Sequence, residues 1–428
     1  MIITRPEGGS GAFDFAAVDL VDPTTYTHGD PHAVWDAMRR HDPVCWHPVG
    51  DDLGFWSITK YEDASWVLRD HTVFTSQRGT LLNLLGKDDP AGGRQMAATD
   101  PPRHTRMREP LQRALTIKSV EKSAERIRQE VRRLLSPALT GKPFDFAETV
   151  TQLPMAVTGM LMGLPPEDWP LLTRLTVMSI APDDPEFTVN GDAEATLQLA
   201  HRELFAYFSD IVRHRQSELD DGLISLLLTM EVDGRKLSLG EILSNCYSLL
   251  LGANVTTPYV PTAAFAELMG TSLLEEWLTT PELVGSGTEE ALRWASPANH
   301  FMRYAVKDVT LRGKTIRSGD AVVVWLGSAN RDEEAFPDPF RFDLRRRPNR
   351  HIAFGSGAHY CVGHTVARVS LRILFEELLT GFSSVESAGP VEHLSSNFVA
   401  GIKHMPVTAA LKPEAEPLFA AARTEPVR

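Results

Sequence analysis

The chain has 428 residues, 43% hydrophobic and 23% charged, ordinary globular proportions that exclude a collagen, a disordered chain or a low-complexity scaffold. Lys and Arg total 43 against 56 Asp and Glu, a net charge of −13, which excludes nucleic acid as an expected partner. The length allows up to about three domains on a simple prior. No repeat or low-complexity linker divides the chain, however, so one domain over residues 1–428 is expected, with flexible tails at 1–15 and 412–428. The cysteines Cys45, Cys246 and Cys361 are far apart and odd in number, so neither a disulfide framework nor a CxxC zinc site is expected, and a reducing cytoplasm fits. The first residues contain no apolar signal core. The apolar stretch 247–255 is interrupted by Ser248, Gly252 and Asn254, short of the roughly 20 residues that span a bilayer. A soluble protein without a membrane partner is expected.

Taken in chain order, the patterns predict a mainly α fold with small β-sheets. A short strand is expected around residues 56–58. The Gly- and Asp-rich segment 79–100 reads as a long loop. Apolar residues at Val120, Ala124, Ile127, Val131, Leu134 and Leu135 predict one amphipathic helix over 119–139. The proline-rich segment 165–189 reads as irregular, and loops of such length are often binding loops or lids. Ser238-Leu-Gly-Glu241 is a capping box. It opens a helix that is apolar on nearly every face and so belongs at the centre of the molecule. Residues 308–316 alternate around Gly313 as a hairpin, Ala321–Trp325 reads as a buried strand, and 364–379 as a helix stopped by Gly381.

One cysteine lies in a setting suited to chemistry. Cys361 sits in Phe354-Gly355-Ser-Gly357-Ala-His359-Tyr-Cys361-Val-Gly363, with a helical pattern directly after it. Glycines at this density make a tight loop that can approach a flat group closely. A thiol at a helix N-terminus is expected to have a lowered pKa, and thiolate is the form that ligates a soft metal. A single thiolate suits an axial haem ligand, because the macrocycle supplies the other donors. On the cysteine alone, a buried core residue in a turn is the competing reading.

The spacing Phe-x-x-Gly-x-His-x-Cys-x-Gly resembles the haem-binding loop of the cytochrome P450 family, matched by Phe354, Gly357, His359, Cys361 and Gly363, with His359 where the family often has Arg. Glu290-Ala-Leu-Arg293 resembles the family's Glu-x-x-Arg helix, and 336–342, with Arg341 and Phe342, its Pro-x-Arg-Phe segment. The resemblance covers almost the whole chain. It implies a triangular, mostly helical fold holding haem b with the iron on Cys361. It also implies a buried network of Glu290, Arg293 and Arg341 bracing the loop. His104 and Arg108, one helical turn apart, together with Arg303 and His359, would meet the haem carboxylates, which need charge-assisted donors once buried. Phe354, Gly355 and Gly363 would complete the cofactor contacts.

Gly252-Ala253-Asn254-Val255-Thr256-Thr257 resembles the family's oxygen-side segment. This assigns Ala253, Thr256 and Thr257 to oxygen activation, with Thr256 as the proton-relaying alcohol that bonds a carbonyl one turn back. The usual acid position holds Val255, which relays no proton. Leu84, Leu85, Met178, Leu249, Asn254, Asn299, Phe301 and Phe398 are candidate pocket residues, and Asn254 and His300 candidates for polar selection of substrate. A basic patch (Arg106, Arg108, Arg113, Arg345, Arg346, Arg347, Arg350 and Arg368) is expected to steer an acidic electron donor. The resemblance implies a monomer served by a separate ferredoxin and ferredoxin reductase. The expected activity is hydroxylation of an apolar or amphipathic small molecule with dioxygen, in specialised metabolite biosynthesis. Oxidative coupling or desaturation without oxygen insertion is the alternative that Val255 suggests, and a haem-based sensor or binding protein is a further one.

Overall fold

The computed structural model describes residues 18–50 and 52–424. The expected tail 1–15 lies outside them. The described part of the other tail is structured: Glu416–Thr424 is a helix whose Phe419 is 1% exposed. Phe419 packs edge-on against Phe382 and lies so close to Gly381 that a Cβ there would come within 2.9 Å of its ring. Gly381 therefore both ends the helix His364–Gly381 and makes room for the C-terminal segment.

A five-stranded sheet runs in the order Val44–Pro48, Gly54–Ile58, Ala321–Trp325, His300–Ala305, Phe74–Thr75. Ala321–Trp325 is parallel to Gly54–Ile58, antiparallel to His300–Ala305, and buried along its whole length. A strand covered on both faces reads as a continuous apolar run, as this one does. Val322 stands opposite Arg303 and Val324 opposite Phe301. The two-residue period of a strand then sends Phe301 and Arg303 to one face and His300, Met302 and Tyr304 to the other. The core agrees: Phe301 packs with Val322 and Val324, while Met302 and Tyr304 pack with Val323 and Trp325. The hairpin also forms, pairing Val309–Leu311 with Lys314–Ile316.

Two sequence expectations need correction among the helices. The predicted helix 119–139 is three pieces: Ile117–Glu121, Ala124–Leu135 and a 3-10 turn Ser136–Thr140. An i→i+3 bond from the Ser123 amide to the Val120 carbonyl tightens the first junction. Pro137 has no N–H to give the Arg133 carbonyl, which the Ser136 amide takes up in a 3-10 bond, and so ends the second piece. The segment 165–189 is not simply irregular, because Trp169–Ile180 is a helix with Pro170 in its first turn, where a missing N–H costs nothing. Pro165, Pro166 and Pro170 sit at its start, and Pro182 and Pro185 in the turns that follow its end.

The capping box forms as read: the Ser238 side chain accepts from the Glu241 amide, and the Glu241 carboxylate accepts from the Ser238 amide. The helix it opens, Leu239–Asn254, breaks at residues 255–258 and resumes as Tyr259–Leu268. Pro258 is the cause, since it has no N–H for the Asn254 carbonyl. The Tyr259 amide bonds Thr256 instead, three residues back.

Candidate active site

The Cys361 loop has a backbone only glycine adopts easily. Gly355 and Gly357 both have φ +73°. A Cβ on Gly357 would lie 2.6 Å from the Arg69 Cα, so the loop is pressed against the helix Tyr61–Arg69. The Cys361 amide donates to the Phe354 carbonyl at 2.8 Å, closing the loop. The Gly363 and His364 amides donate to the sulfur. Phe354 carries the Arg368 guanidinium over its ring at 4.5 Å, and that guanidinium forks onto Glu289 at 2.7 and 2.9 Å. The thiol does not have the lowered pKa expected from its place at a helix N-terminus. Burial pushes it up, outweighing those amides and the cations Arg108 and Arg368. Cys361 is partly exposed, yet deep in protein matter, where loss of hydration disfavours the anion. Haem iron bound at this sulfur would replace the thiol proton and hold the anion that burial alone disfavours.

Around the loop lies a cationic, under-bonded cluster. His104 and Arg108, on the helix Arg103–Ala114, are 1% and 8% exposed, and Arg303 is 4% exposed. The His104 and His359 rings are 4.2 Å apart, and His359 Nε2 is 4.0 Å from Asp100. Burial, reinforced by Arg108, brings His104 down to about 4. Burial, reinforced by Arg303, brings His359 down to about 2. Burial also brings Arg303 down to about 10. His104 Nδ1 and His359 Nε2 are buried without hydrogen-bond partners. The Arg303 guanidinium bonds only the Met302 carbonyl among the described residues. Buried donors and cations left so short of partners call for anions. Two carboxylates of a flat cofactor, seated on the glycine loop with a thiol beside it, fit that need. His71 borders the same cluster and carried no sequence signal of its own.

The bracing network forms with one different member. Glu290 and Arg293 are each 0% exposed, and Arg293 forks onto the carboxylate at 2.8 and 2.7 Å. The third side chain is Arg346, not Arg341. Arg346 Nε lies 3.2 and 3.1 Å from the two Glu290 oxygens. The Arg341 side chain is exposed, and only its carbonyl takes part, accepting from Arg346 at 2.9 Å. Arg293 also donates to the Asn330 carbonyl, Asn330 Oδ1 accepts from the Ile352 amide, and Ile352 accepts from the Gly355 amide. An unbroken chain of bonds thus runs from the buried carboxylate into the cysteine loop.

On the broken central helix, the Thr256 hydroxyl donates to the Gly252 carbonyl at 3.1 Å, as expected. Ala253 and Thr257 are half-buried beside it. Val255 is 1% exposed, in an apolar cluster with Val177, Ile180, Tyr259 and Leu394. An acid at this position would be buried among hydrocarbon. Asn254 donates to the Leu250 carbonyl at 2.7 Å, and its Oδ1 is buried without a partner.

The eight pocket candidates fall into separate groups. Phe301 and Phe398 meet edge-on at 6.1 Å, and Met178 and Leu249 share one apolar cluster. Leu84 and Leu85 pack with Met302 and Tyr304, on the sheet face opposite Phe301 and Arg303. Asn299 is 2% exposed, its amide bonded to Phe398 and its side chain to Asn397. His300, offered above for polar selection, is fully spent. It accepts from the Leu82 amide at 3.1 Å through Nε2 and bonds the Asn397 carbonyl at 3.3 Å through Nδ1. It is a latch joining the 79–100 loop, the sheet and the 396–399 turn.

Burial lowers His300 to about 3, whereas the unfolded chain titrates near 6.5. Between those values the unfolded state holds the extra proton, so stability falls as pH drops below 6.5. From pH 6.5 to 5, His300 is expected to cost about 2 kcal/mol. Urea unfolding of the holoenzyme checks this: the loss should be smaller by that amount in His300→Phe than in wild type, and equal slopes for both proteins would contradict it.

The expected basic patch is largely neutralised. Arg108 and Arg346 are buried. Arg106 pairs with Asp233, Arg113 with Glu109, Arg345 with Glu276 and Arg368 with Glu289. Arg347 and Arg350 are exposed and in no ion pair among the described residues. No helix among the described residues is long and apolar enough to cross a membrane.

Comparison with known proteins agrees with this geometry. The family model described as Cytochrome P450 matches residues 284–405. Linalool 8-monooxygenase of Pseudomonas putida is 31% identical, covering 92% of this chain and 99% of its own. The structure of P450 OxyD, involved in the biosynthesis of vancomycin-type antibiotics, superposes with a TM-score of 0.82 at 32% identity over 92% of this chain and 100% of its own. A Mycobacterium marinum cytochrome P450 in complex with pseudoionone gives 0.84 at 29% identity over 93% and 100%. The glycine loop, its thiol, the unpartnered donors around it and relatives aligned along nearly the full chain converge: this protein belongs to the cytochrome P450 family and is a monooxygenase that carries haem b, its iron ligated by Cys361.

Proposed function

We propose that this enzyme hydroxylates an apolar or amphipathic small molecule in specialised metabolite biosynthesis, with electrons from a ferredoxin and its reductase. The observation that carries the reading is the Thr256 hydroxyl, fixed on the Gly252 carbonyl where the central helix breaks. Haem b supplies the reductive activation of dioxygen, which takes two electrons and two protons for each oxygen atom inserted and leaves the other as water. The chain's own work is placement and proton supply. His104, Arg108, Arg303 and His359 would hold the cofactor's carboxylates. Thr256 can both accept and donate a hydrogen bond, so it would relay protons from water on this side of the cofactor. Water serves where Val255 offers no acid. Phe301 and Phe398 give the substrate an apolar wall, consistent with pockets whose linings are mostly hydrophobic. Arg347 and Arg350 remain for an acidic donor to meet.

Thr256→Val keeps the shape and removes the hydroxyl. Positioned proton transfer is worth about 10²–10⁴-fold. Product formed per dioxygen consumed should therefore fall at least about tenfold, with substrate affinity little changed. Equal yields in both proteins would remove Thr256 from the relay. Linalool and pseudoionone are the first ligands to screen, by their optical shift of the haem. Isotopically labelled dioxygen then tests the reaction class. Label in the product supports hydroxylation, and an unlabelled oxidised product supports coupling or desaturation.

A further inference from the structure

A second cleft of about 590 Å³ opens beside the helix Trp169–Ile180. Its size is that of a small-molecule site, roughly 300–1,000 Å³. None of the candidate substrate-pocket residues borders it. Met155, Trp169, Val177, Phe187 and Leu394 give it an apolar wall, beside charged and polar lining residues. Tyr259 also lines it, 3% exposed, and its hydroxyl meets no hydrogen-bond partner among the described residues. Gly401 backs the ring so closely that a Cβ there would sit 3.0 Å from Cζ, which fixes the phenol in place. Burial raises this phenol well above its ordinary range, so it keeps its proton and can donate it in a hydrogen bond.

The charges that line the cleft leave no net demand. Arg133 pairs with Glu130, Lys403 with Asp184 and Glu186, and His404 with Asp145 and Glu186. The two lining groups in no ion pair among the described residues, Glu148 and Arg174 (which lies over the Phe187 ring), are of opposite sign. A charged ligand would gain no uncompensated partner here. A neutral one with an oxygen at its buried end would satisfy Tyr259. We propose that this cleft is a second binding site, for an uncharged apolar molecule whose hydroxyl or carbonyl oxygen accepts from Tyr259. Val177, Tyr259 and Leu394 belong to the cluster that also holds Val255, so the occupant leans on the wall next to Thr256.

The test uses holoenzyme with imidazole saturating the iron, and 2-naphthol and naphthalene as fluorescent probes. One equivalent of 2-naphthol should bind with the iron blocked. Tyr259→Phe should weaken it about fivefold, the loss of one neutral hydrogen bond, and leave naphthalene unaffected. Thr173→Trp, which fills the cleft from its helical wall, should abolish binding of both, while the carbon monoxide spectrum stays that of wild type. Displacement of 2-naphthol by imidazole in equal measure, or equal affinities in wild type and Tyr259→Phe, would overturn the proposal. The Tyr259→Phe comparison decides even where Thr173→Trp fails to fold.

Discussion

Cys361→Ser is expected to lose the far-red Soret band of the reduced, carbon monoxide-bound protein and its oxygenase activity, while the chain still folds. The substitution changes one atom. The loop closure runs through the Cys361 backbone amide to Phe354, and Gly355 and Gly357 keep their conformations without help from the sulfur. A serine alcohol does not deprotonate under these conditions, and burial, which already opposes the Cys361 anion, opposes an alkoxide more strongly. The thiolate donor is then absent at unchanged geometry. Altering a group that only supports a metal ligand typically costs about 10–100-fold, and removal of the ligand itself should exceed that. Gly357→Ala is the contrasting control. It leaves the thiol but drives a Cβ to 2.6 Å from the Arg69 backbone at a positive φ, so it should lower haem content rather than change the band's position. A serine variant that kept the far-red band would remove Cys361 as the ligand.

Much of this site is legible in the sequence because its chemistry is local. The loop 354–363 declares its thiol, its glycines and its histidine within ten positions, and the His104–Arg108 pair declares a helix face. The capping box at Ser238 fixes where the central helix begins. What escapes is set by packing between distant segments. Nothing in 119–139 marks the i→i+3 tightening at Ser123, and the apolar Leu418–Ala422 stretch looks like a tail until Phe419 meets Gly381. His300 is a candidate for contact with substrate until strand alternation turns it to the face of Met302 and Tyr304. The sign of the Cys361 shift also depends on tertiary burial, which a helix N-terminal position cannot reveal.

The arginine assignment shows the same limit and gives the sharpest stability contrast. Arg341 and Arg346 sit five residues apart in one basic run, and a motif read along the chain selects the first. In the fold, the Arg346 guanidinium meets Glu290 and donates to the carbonyls of Pro337, Asp338 and Arg341. The Arg341 side chain points to solvent. Arg346→Leu leaves those carbonyls short of a donor and Glu290 with Arg293, Asn349 and the Asp343 amide as its partners. Losing charge-assisted hydrogen bonds to a buried carboxylate that keeps its Arg293 partner costs about 1.5–3 kcal/mol. The chain of bonds from Arg293 through Asn330 to the Cys361 loop should carry that loss to the cofactor. Arg341→Leu alters a surface side chain and should stay within about 0.5 kcal/mol of wild type. Urea unfolding with the haem-to-protein ratio of each purified variant measures both effects. The expected order is a large loss of stability and haem in Arg346→Leu and near-wild-type values in Arg341→Leu. The reverse order, or equal losses, would return the bracing role to Arg341.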